Sequence, residues 1–353
     1  MVQWKTSRWN VENVDNLHEH PAIQEAAMWM KEGEVIAFPT ETVYGLGANA
    51  CSNEAIEKIF EAKGRPSDNP LIVHIAEIEQ LEQATTTWSE TAQKLMDAFW
   101  PGPLTIILPK NERIAERTTA GLSSVGVRMP DHPVALALIK ACGLPIAAPS
   151  ANRSGKPSPT KGEHVYKDLN GRIKGIIDAG STGVGLESTV VEVSGDVVTI
   201  LRPGGISKAQ LEEIVDHVKL DEALFESGQV PRSPGMKYTH YAPDAPLFLV
   251  EGNHVFFQKV IDQYEAEGQK VGILISNERA EHVTANVIKC LGSSNQVEDV
   301  AQNLYHQLRS FDDTDVDIIL AEMYPVDGIG EALMNRLMKA AGNRMIADNH
   351  NRD

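Results

Sequence analysis

Cysteine is scarce in this sequence. It occurs three times in 353 residues, as Cys51, Cys142 and Cys290. These positions are far apart and show neither a Cys-x-x-Cys pair nor the Cys/His spacing of a zinc ligand set. The sequence therefore supports neither a disulfide framework nor a structural zinc site, and we interpret the three thiols as small buried side chains.

Long apolar runs and an excess of basic charge are also missing. No run of eighteen or more apolar residues offers a membrane span, and the first residues lack the apolar core of a signal peptide, which predicts a cytoplasmic protein. Lys and Arg number 32 against 49 Asp and Glu, a formal charge of −17. Binding along a phosphate backbone needs a basic face, so stable nucleic-acid binding is not expected and any anion site must be local.

Several familiar catalytic motifs do not occur. The sequence has no Walker A loop, no Gly-x-Ser-x-Gly elbow and no His-Glu-x-x-His pair, and no side chain stands out as a nucleophile.

The length predicts two domains, and 42% hydrophobic with 23% charged residues is ordinary globular usage. Alternating helical and apolar strand segments predict an α/β fold.

A basic turn follows the helix that we predict over 52–62, with Ser52 as its N-cap. Lys63 and Arg65 lie there on either side of Gly64, which permits a left-handed backbone at the helix end, while Pro66 and Pro70 restrict the segment. A compact ammonium and a forked guanidinium together suit an anion whose charge is spread over several oxygens. The alternative is an ordinary helix end with two solvated cations.

Two further polar segments follow predicted strands. The first, 39–47, is predicted to be a loop and contains Thr40, Glu41 and Thr42. The second, 149–155, contains Ser150 and Asn152. Strand ends are where α/β sheets present ligand contacts, although a capped turn and a plain Ser/Gly turn are the alternatives.

Three isolated polar side chains also need an explanation. Arg128 stands in an apolar strand, where it must meet a buried carboxylate of the protein or await one from a ligand. Arg202 lies at another strand end, and His74 lies in the strand predicted over 71–75. A histidine at such a place is either a satisfied core or edge residue or a catalytic one.

The remaining segments carry expectations about local structure. Asp131 is expected to cap the helix that ends at Cys142, and apolar periodicity predicts a helix over 206–218. The connector 219–245 carries Lys237, Tyr238, His240 and Tyr241, which suit either a lid or packing between domains. The turn 328–330 suggests either phosphate binding or close helix packing.

Four ordered motifs together resemble the YrdC/YwlC family of L-threonylcarbamoyladenylate synthases. These are Phe-Pro-Thr-Glu-Thr-Val-Tyr-Gly-Leu-Gly (38–47), Lys-Gly-Arg-Pro with Asn-Pro-Leu (63–71), Pro-Ser-Ala-Asn-Arg-Ser-Gly (149–155) and Ser-Pro-Gly-Met-Lys-Tyr-Thr-His-Tyr-Ala-Pro (233–243). The resemblance implies a YrdC-like domain over 1–218 with a twisted, mostly parallel α/β sheet. A linker or lid over 219–245 and a smaller Rossmann-like α/β domain over 246–353 would follow.

The resemblance also implies the reaction. L-threonine, bicarbonate and ATP would give threonylcarbamoyl-AMP and pyrophosphate, for the threonylcarbamoyl modification of tRNA adenosine beside the anticodon. ATP would carry Mg²⁺, with no protein ligand predicted for the metal, and a tRNA threonylcarbamoyl transferase would act downstream. An RNA-binding module and a transferase using carbamoyl phosphate are the alternatives.

The family's site residues match positions of this sequence one by one. Those implied at the reacting centre are Lys63, Arg65, Ser150 and Asn152. Those implied to contact ATP are Asn69, Ser124, Ser158, Arg202 and Tyr238. Those implied to contact L-threonine are Thr40, Thr42, His74, Arg128, Ala148 and Ser188. Arg128 would bind the threonine carboxylate.

Overall fold

The computed structural model describes residues 5–224 and 241–348. They form two compact units, of which the first comprises 5–154 and 158–224 and the second comprises 155–157 and 241–348. Residues 225–240 of the predicted connector lie outside the described residues, so the connector stays a prediction. No helix in the described ranges is long and apolar enough to cross a bilayer.

Eleven strands of the described chain form one sheet in the first unit. They are β1 (Ser7–Asn10), β2 (Ile36–Pro39), β3 (Tyr44–Asn49), β4 (Ile72–His74), β5 (Leu104–Pro109), β6 (Ser124–Arg128), β7 (Ile146–Ala147), β8 (Gly175–Asp178), β9 (Thr189–Ser194), β10 (Val197–Arg202) and β11 (His217–Leu220). Their spatial order is β1-β8-β2-β3-β7-β4-β6-β5-β9-β10-β11.

This sheet is mixed. Of its ten neighbouring pairs, five are parallel and five antiparallel. The expectation of a mostly parallel sheet is therefore wrong, whereas the α/β class is confirmed. Short connections such as those from β2 to β3 and from β9 to β10 permit only antiparallel pairing, because a parallel pair needs a long crossover.

Helices cover both faces of the sheet. Those of the first unit are α1 (Pro21–Lys31), α2 (Asn53–Lys63), α3 (Leu81–Ala84), α4 (Glu90–Phe99), α5 (Glu116–Thr119), α6 (Pro133–Cys142), α7 (Gly162–Leu169) and α8 (Lys208–Glu212). Short 3₁₀ turns lie at Leu17–Glu19, Ile78–Gln80 and Glu222–Leu224. Side chains alternate along β2, so that Ile36 and Phe38 join the core under α1 and α6, while Ala37 joins the core that includes α2 and α4.

Local predictions succeed where a cap fixes the end of a helix. The Ser52 hydroxyl accepts a hydrogen bond from the Ala55 backbone N–H at 3.2 Å and starts α2. Gly64 ends α2 with a left-handed φ of 62°, as predicted. The cap of α6, in contrast, is not Asp131. The His132 imidazole takes that place and accepts from Val134 at 3.2 Å.

Two segments have a secondary structure that differs from the one predicted from the sequence. The second half of the 39–47 loop is strand β3, which pairs with β2. The predicted helix over 206–218 is short, because α8 ends at Glu212 and the chain then forms β11, parallel to β10. Backbone hydrogen bonds offered by the sheet edge outweigh the helical spacing of the apolar residues there.

The second unit contains a parallel sheet of five strands with the order β14-β13-β15-β12-β16. They are β12 (Leu247–Glu251), β13 (Val271–Ile275), β14 (Val287–Cys290), β15 (Ile318–Glu322) and β16 (Met345–Ala347). The helices are α9 (His254–Ala266), α10 (Asn277–Ala280), α11 (Val297–Ser310) and α12 (Gly330–Ala340), with a 3₁₀ turn at Phe311–Asp313. This layering confirms the Rossmann-like expectation.

The turn before α12 has a packing role. A Cβ at Gly330 would collide with the carbonyl oxygen of Pro325, so only glycine fits there. This close approach accounts for Gly330 without a phosphate, which favours the helix-packing interpretation of the 328–330 turn.

Candidate active site

Lys63, the last residue of α2, is buried rather than solvated. Its residue exposure is 3%. The ammonium Nζ donates to the Ser150 carbonyl oxygen at 2.5 Å and to the Asn152 carbonyl oxygen at 2.8 Å. A buried cation needs such acceptors, because it has lost its water. The interpretation of Lys63 as a solvated helix-end cation is therefore wrong, and its side chain ties the 150–152 loop to α2.

The turn after α2 is closely packed and carries an unsatisfied donor. A Cβ on Gly64 would come within 2.7 Å of the Arg153 guanidinium. Arg65 is half-buried on this turn, and Asn69 is 4% exposed. The Asn69 Nδ2 group is buried and makes no hydrogen bond with the described residues. Such a donor costs about 1–3 kcal/mol, so it suits an acceptor atom supplied by a ligand.

The 149–155 loop lies against β3. An isolated bridge joins Ser150 to Gly45, and the Leu46 N–H donates to the Pro149 carbonyl at 2.7 Å. Within the loop, the Ser150 hydroxyl donates to Asn152 Oδ1 at 2.6 Å. Both polar segments predicted at strand ends therefore meet at one place, together with the Lys63 side chain.

Arg128 ends β6 and is 4% exposed. Its Nη2 meets Glu41 Oε1 at 2.5 Å as an ion pair, Nη1 donates to the Thr42 hydroxyl at 2.9 Å, and Nε donates to the Gly102 carbonyl at 3.2 Å. His74 stands opposite Arg128 in the register of β4 with β6. Of the two partners predicted for this arginine, the structure contains the buried carboxylate of the protein.

The structure separates the two threonines of the 40–43 turn. The Thr42 hydroxyl accepts from Arg128, whereas the Thr40 hydroxyl donates to the Val43 carbonyl at 2.7 Å. The two hydroxyl oxygens are 2.8 Å apart. Thr40 thus stabilises the turn, as the capped-turn alternative requires, and Thr42 lies at the guanidinium.

His74 is buried and neutral. Burial is the larger cause and the nearby Arg128 charge the smaller one, and together they lower the pKa of His74 to about 3. Its Nδ1 lies 3.2 Å from the Ile72 carbonyl oxygen, and its ring meets the Phe38 ring edge-on at a centroid distance of 6.4 Å. At neutral pH this imidazole is a hydrogen-bonding group without charge, not an acid.

Arg202 and Ser188 form a second buried cluster. The register of β10 against β9 shifts between Ile200 and Arg202, and Arg202 pairs with Val190 after this irregularity. Arg202 Nη2 donates to the Ser188 carbonyl at 2.9 Å and to its hydroxyl at 3.1 Å. Next along the chain, Glu187 accepts from the Ser158 hydroxyl at 2.5 Å.

Three other predicted site residues remain, namely Ala148, Ser124 and Tyr238. The Ala148 N–H donates to the Ile72 carbonyl at 2.9 Å. Ser124 begins β6, so it lies about 13 Å from Arg128 along the strand at a rise of about 3.3 Å per residue. Tyr238 lies outside the described residues. The structure thus gives the positions of Ala148 and Ser124, and the binding roles of Ala148, Ser124 and Tyr238 stay predictions.

Three side chains of the site were not among the predicted ligand contacts. They are Glu41, Glu187 and Thr105, whose hydroxyl oxygen lies 2.8 Å from that of Ser188. The signal for Glu41 was the buried charge of Arg128, which requires a partner. The sequence offers 49 acidic residues, and spacing alone does not select one that is 87 positions away.

The geometry therefore defines a protein that gathers buried cations and hydroxyls at the ends of neighbouring strands, as anion-binding enzymes do. The family model Sua5_yciO_yrdC, described as "Telomere recombination", matches residues 28–204. A second model, "Threonylcarbamoyl-AMP synthase, C-terminal domain", matches residues 206–342.

Full-length relatives agree with these matches. The threonylcarbamoyl-AMP synthase of Bacillus subtilis is 56% identical, covering 97% of this chain and 99% of its own. That of Pyrococcus abyssi is 47% identical, covering 95% and 98%. The crystal structure of P. abyssi Sua5 complexed with L-threonine superposes with a TM-score of 0.91 at 45% identity, covering 98% of this chain and all of that chain. This chain belongs to the threonylcarbamoyl-AMP synthase family, which confirms the resemblance.

Proposed function

We propose that this chain joins L-threonine, bicarbonate and ATP into threonylcarbamoyl-AMP with release of pyrophosphate. The observation that carries this proposal is Arg128, a buried guanidinium that already holds a carboxylate inside the predicted amino-acid pocket. The relatives named above carry the name of this activity.

At the amino-acid end, Arg128 binds the carboxylate of threonine. A guanidinium offers two parallel N–H groups to a carboxylate, so the contact fixes orientation as well as charge. Thr42 and Ser188 place hydroxyls at the two buried arginines. His74, being neutral, adds a hydrogen bond without repelling an ammonium group.

At the nucleotide end, Lys63, Arg65 and Arg202 balance the charge of the phosphates. Asn69 Nδ2 supplies an unsatisfied donor, and Ser150 with Asn152 supplies further polar groups. The ammonium group of threonine first loses a proton to bulk water. The free amine then attacks the carbon of bicarbonate, and the carbon–hydroxyl bond breaks with release of water to give a carbamate. A carbamate oxygen then attacks the α-phosphorus, the bond from that phosphorus to the β-phosphate oxygen breaks, and pyrophosphate leaves with the electron pair.

The protein supplies no nucleophile in this scheme. Its work is to orient the carbamate towards the α-phosphorus, to keep water out and to balance charge. The burial of Lys63, Arg128 and Arg202 strengthens each electrostatic contact, because the surroundings have a lower dielectric constant than water.

Mg²⁺ fits this site as an ion carried by the nucleotide. Among the described residues, no three His, Cys, Asp or Glu side chains converge to bind a metal. Phosphate oxygens and water would hold the ion, as is usual for Mg²⁺ bound with a triphosphate, and it would neutralise part of the phosphate charge.

The product is a mixed anhydride, so it needs an acceptor soon after it forms. We propose that a tRNA threonylcarbamoyl transferase takes it up and modifies adenosine beside the anticodon. We also place the reaction in the cytoplasm, where ATP, threonine and tRNA are present together.

Pyrophosphate release from ATP and bicarbonate tests the proposal, with and without L-threonine. The wild type should release pyrophosphate only with threonine. Lys63→Ala and Arg128→Ala should each lower the rate by at least about a hundredfold, because each removes a charge contact in a buried site. Lys94→Ala and Arg117→Ala, which change exposed cations, serve as matched controls and should keep the wild-type rate.

Pyrophosphate release that does not depend on threonine would contradict the proposal. So would equal rates in Arg128→Ala and Arg117→Ala. Turnover of carbamoyl phosphate in place of ATP would favour the alternative function, a transferase that uses carbamoyl phosphate.

A further inference from the structure

The carboxylate of Glu41 is buried against Arg128, and the described part of the chain donates no hydrogen bond to it. The side chains of Arg128 and Glu41 are 4% and 12% exposed, and their charged atoms meet at 2.5 Å. Neither Oε atom of Glu41 accepts a hydrogen bond from the described residues, and Arg128 Nη2 donates none. The two side chains therefore attract each other as an ion pair, but the geometry at these atoms is not that of a hydrogen bond.

Such an arrangement is costly. A buried ion pair balances its desolvation only when further hydrogen bonds satisfy the remaining lone pairs, and the described residues supply none to the Glu41 carboxylate. His132 lies near enough to respond to the Glu41 charge, but burial keeps the pKa of His132 below its ordinary value, so it remains neutral near pH 7. It therefore brings no second positive charge to Glu41.

The backbone of the turn holds Glu41 in this place. Its carbonyl oxygen accepts from the Val184 N–H at 2.7 Å, and the Thr40 hydroxyl closes the turn onto Val43. The carboxylate is consequently presented to the pocket by a fixed turn, and a small rotation of its side chain could separate it from Arg128.

We propose that Glu41 binds the ammonium group of the amino-acid substrate once the substrate carboxylate has taken its place on Arg128. This rests on the proposed function, because it assigns the carboxylate of threonine to Arg128. An α-amino acid carries both charges on one carbon. When such an amino acid binds, the Arg128–Glu41 ion pair is replaced by two ion pairs, one between Arg128 and the substrate carboxylate and one between Glu41 and the substrate ammonium. The N–H groups of that ammonium then donate to the Glu41 oxygens.

Charge balance then makes Glu41 a specificity-determining residue. The Arg128–Glu41 pair is neutral as a unit, and a zwitterion leaves it neutral. A carboxylic acid without an amino group would compete with Glu41 for Arg128 and leave one buried negative charge without a partner. Unpaired buried charge is strongly unfavourable, so the site rejects such acids.

The test compares two ligands by saturation-transfer NMR titration of the full chain. L-threonine has both charges, and (R)-3-hydroxybutyrate is the same skeleton without the amino group. In Glu41→Gln the affinity for threonine should fall by about tenfold or more, a change of about 1.4 kcal/mol. The affinity for hydroxybutyrate should stay the same or rise, because no carboxylate competes for Arg128.

Two further variants separate charge from shape. Glu41→Asp keeps the negative charge and should retain a clear preference for threonine. Glu90→Gln, at an exposed glutamate, is the matched control and should behave as the wild type. The unfolding midpoint of each variant shows that the compared proteins are folded.

Equal weakening of both ligands in Glu41→Gln would overturn the proposal, as would an affinity for threonine within about threefold of the wild type. Loss of threonine binding in Arg128→Ala alone would leave the proposed function intact and remove only the role of Glu41. Unchanged threonine binding in Arg128→Ala would remove the assignment of the pocket itself and with it both proposals.

Discussion

Each unit contains a buried glutamate paired with an arginine, and the two pairs differ in how they are satisfied. In the second unit, Glu322 accepts from Arg279 Nε at 2.8 Å and from the Ser276 N–H at 2.7 Å, one bond at each oxygen. In the first unit, Glu41 touches Arg128 and accepts no hydrogen bond from the described residues.

This difference separates a structural ion pair from one that can change partners. Glu322 joins the ends of two neighbouring strands, β13 and β15, and every bond it makes would have to break for a ligand to enter. Glu41 would lose only a charge contact, which a ligand carrying both charges restores. Unsatisfied buried groups in a folded protein require an explanation, and the substrate that we propose for this pair would provide one.

The largest effect on stability should come from Arg128→Ala. It leaves the Glu41 carboxylate buried without a counter-ion, and breaking a buried pair in this way costs about 3–5 kcal/mol. Native-state hydrogen exchange of the β6 amides reports the loss for this unit alone. The double variant Arg128→Ala with Glu41→Gln should recover part of the loss. If it is no more stable than the single variant, the pair is not electrostatically coupled.

The variant Glu322→Gln measures what the hydrogen bonds contribute to the ion pair of the second unit. It removes a charge-assisted bond to Arg279, so hydrogen exchange in β15 should report a loss of about 2 kcal/mol. The isosteric change Glu41→Gln removes the counter-ion of Arg128 without breaking a hydrogen bond, and Arg128 keeps its bonds to Thr42 and Gly102, so the loss in β6 should be smaller than for Glu322→Gln. Equal costs for the two changes would show that the hydrogen bonds do not distinguish the pairs.

Acid should destabilise the first unit through His74. The pKa of His74 is lowered to about 3 in the folded protein against about 6.5 unfolded. Stability is therefore fully present above pH 6.5 and falls as the pH drops from about 6.5 towards 3, because only the unfolded chain takes up the proton. At pH 5.5 this group should cost about 1.4 kcal/mol relative to pH 8.

The measurement is the pH dependence of unfolding for the wild type and for His74→Gln, which has no titrating ring. The wild type should lose more stability than the variant between pH 8 and pH 5.5. Parallel profiles would show that His74 titrates in the folded state with an ordinary pKa.

The smallest effect on stability is expected for Asn69→Ala. Because Nδ2 makes no hydrogen bond with the described residues, its removal should cost less than about 1 kcal/mol. The KM for ATP should nevertheless rise by several-fold, with little change for threonine. A large loss of stability with unchanged KM would make Asn69 a structural residue.

The local predictions were accurate where one or two residues decide the structure. Ser52 and Gly64 carry the start and end of α2 in their own side-chain and backbone preferences. The motifs at Lys63, Thr42, Ser150 and Arg128 likewise mark the segments that form the candidate site.

Predictions failed where distant packing decides. The segment 39–47 is predicted to be a loop, yet its second half is β3, where a Cβ on Gly47 would come within 2.6 Å of the Phe38 ring. The apolar spacing that predicted a helix over 206–218 instead supplies the edge strand β11. No local signal identifies Glu41 as the partner of Arg128, since that contact exists only after the sheet has formed.

Formation of the adenylate itself is the most direct test of the account. The full chain would be incubated with ATP, Mg²⁺, L-threonine and ¹³C-labelled bicarbonate, and its nucleotides examined by mass spectrometry. We expect an AMP conjugate that contains threonine and one ¹³C atom, absent when threonine is omitted. Consumption of ATP without any labelled conjugate, in a reaction quenched before the product hydrolyses, would contradict the account.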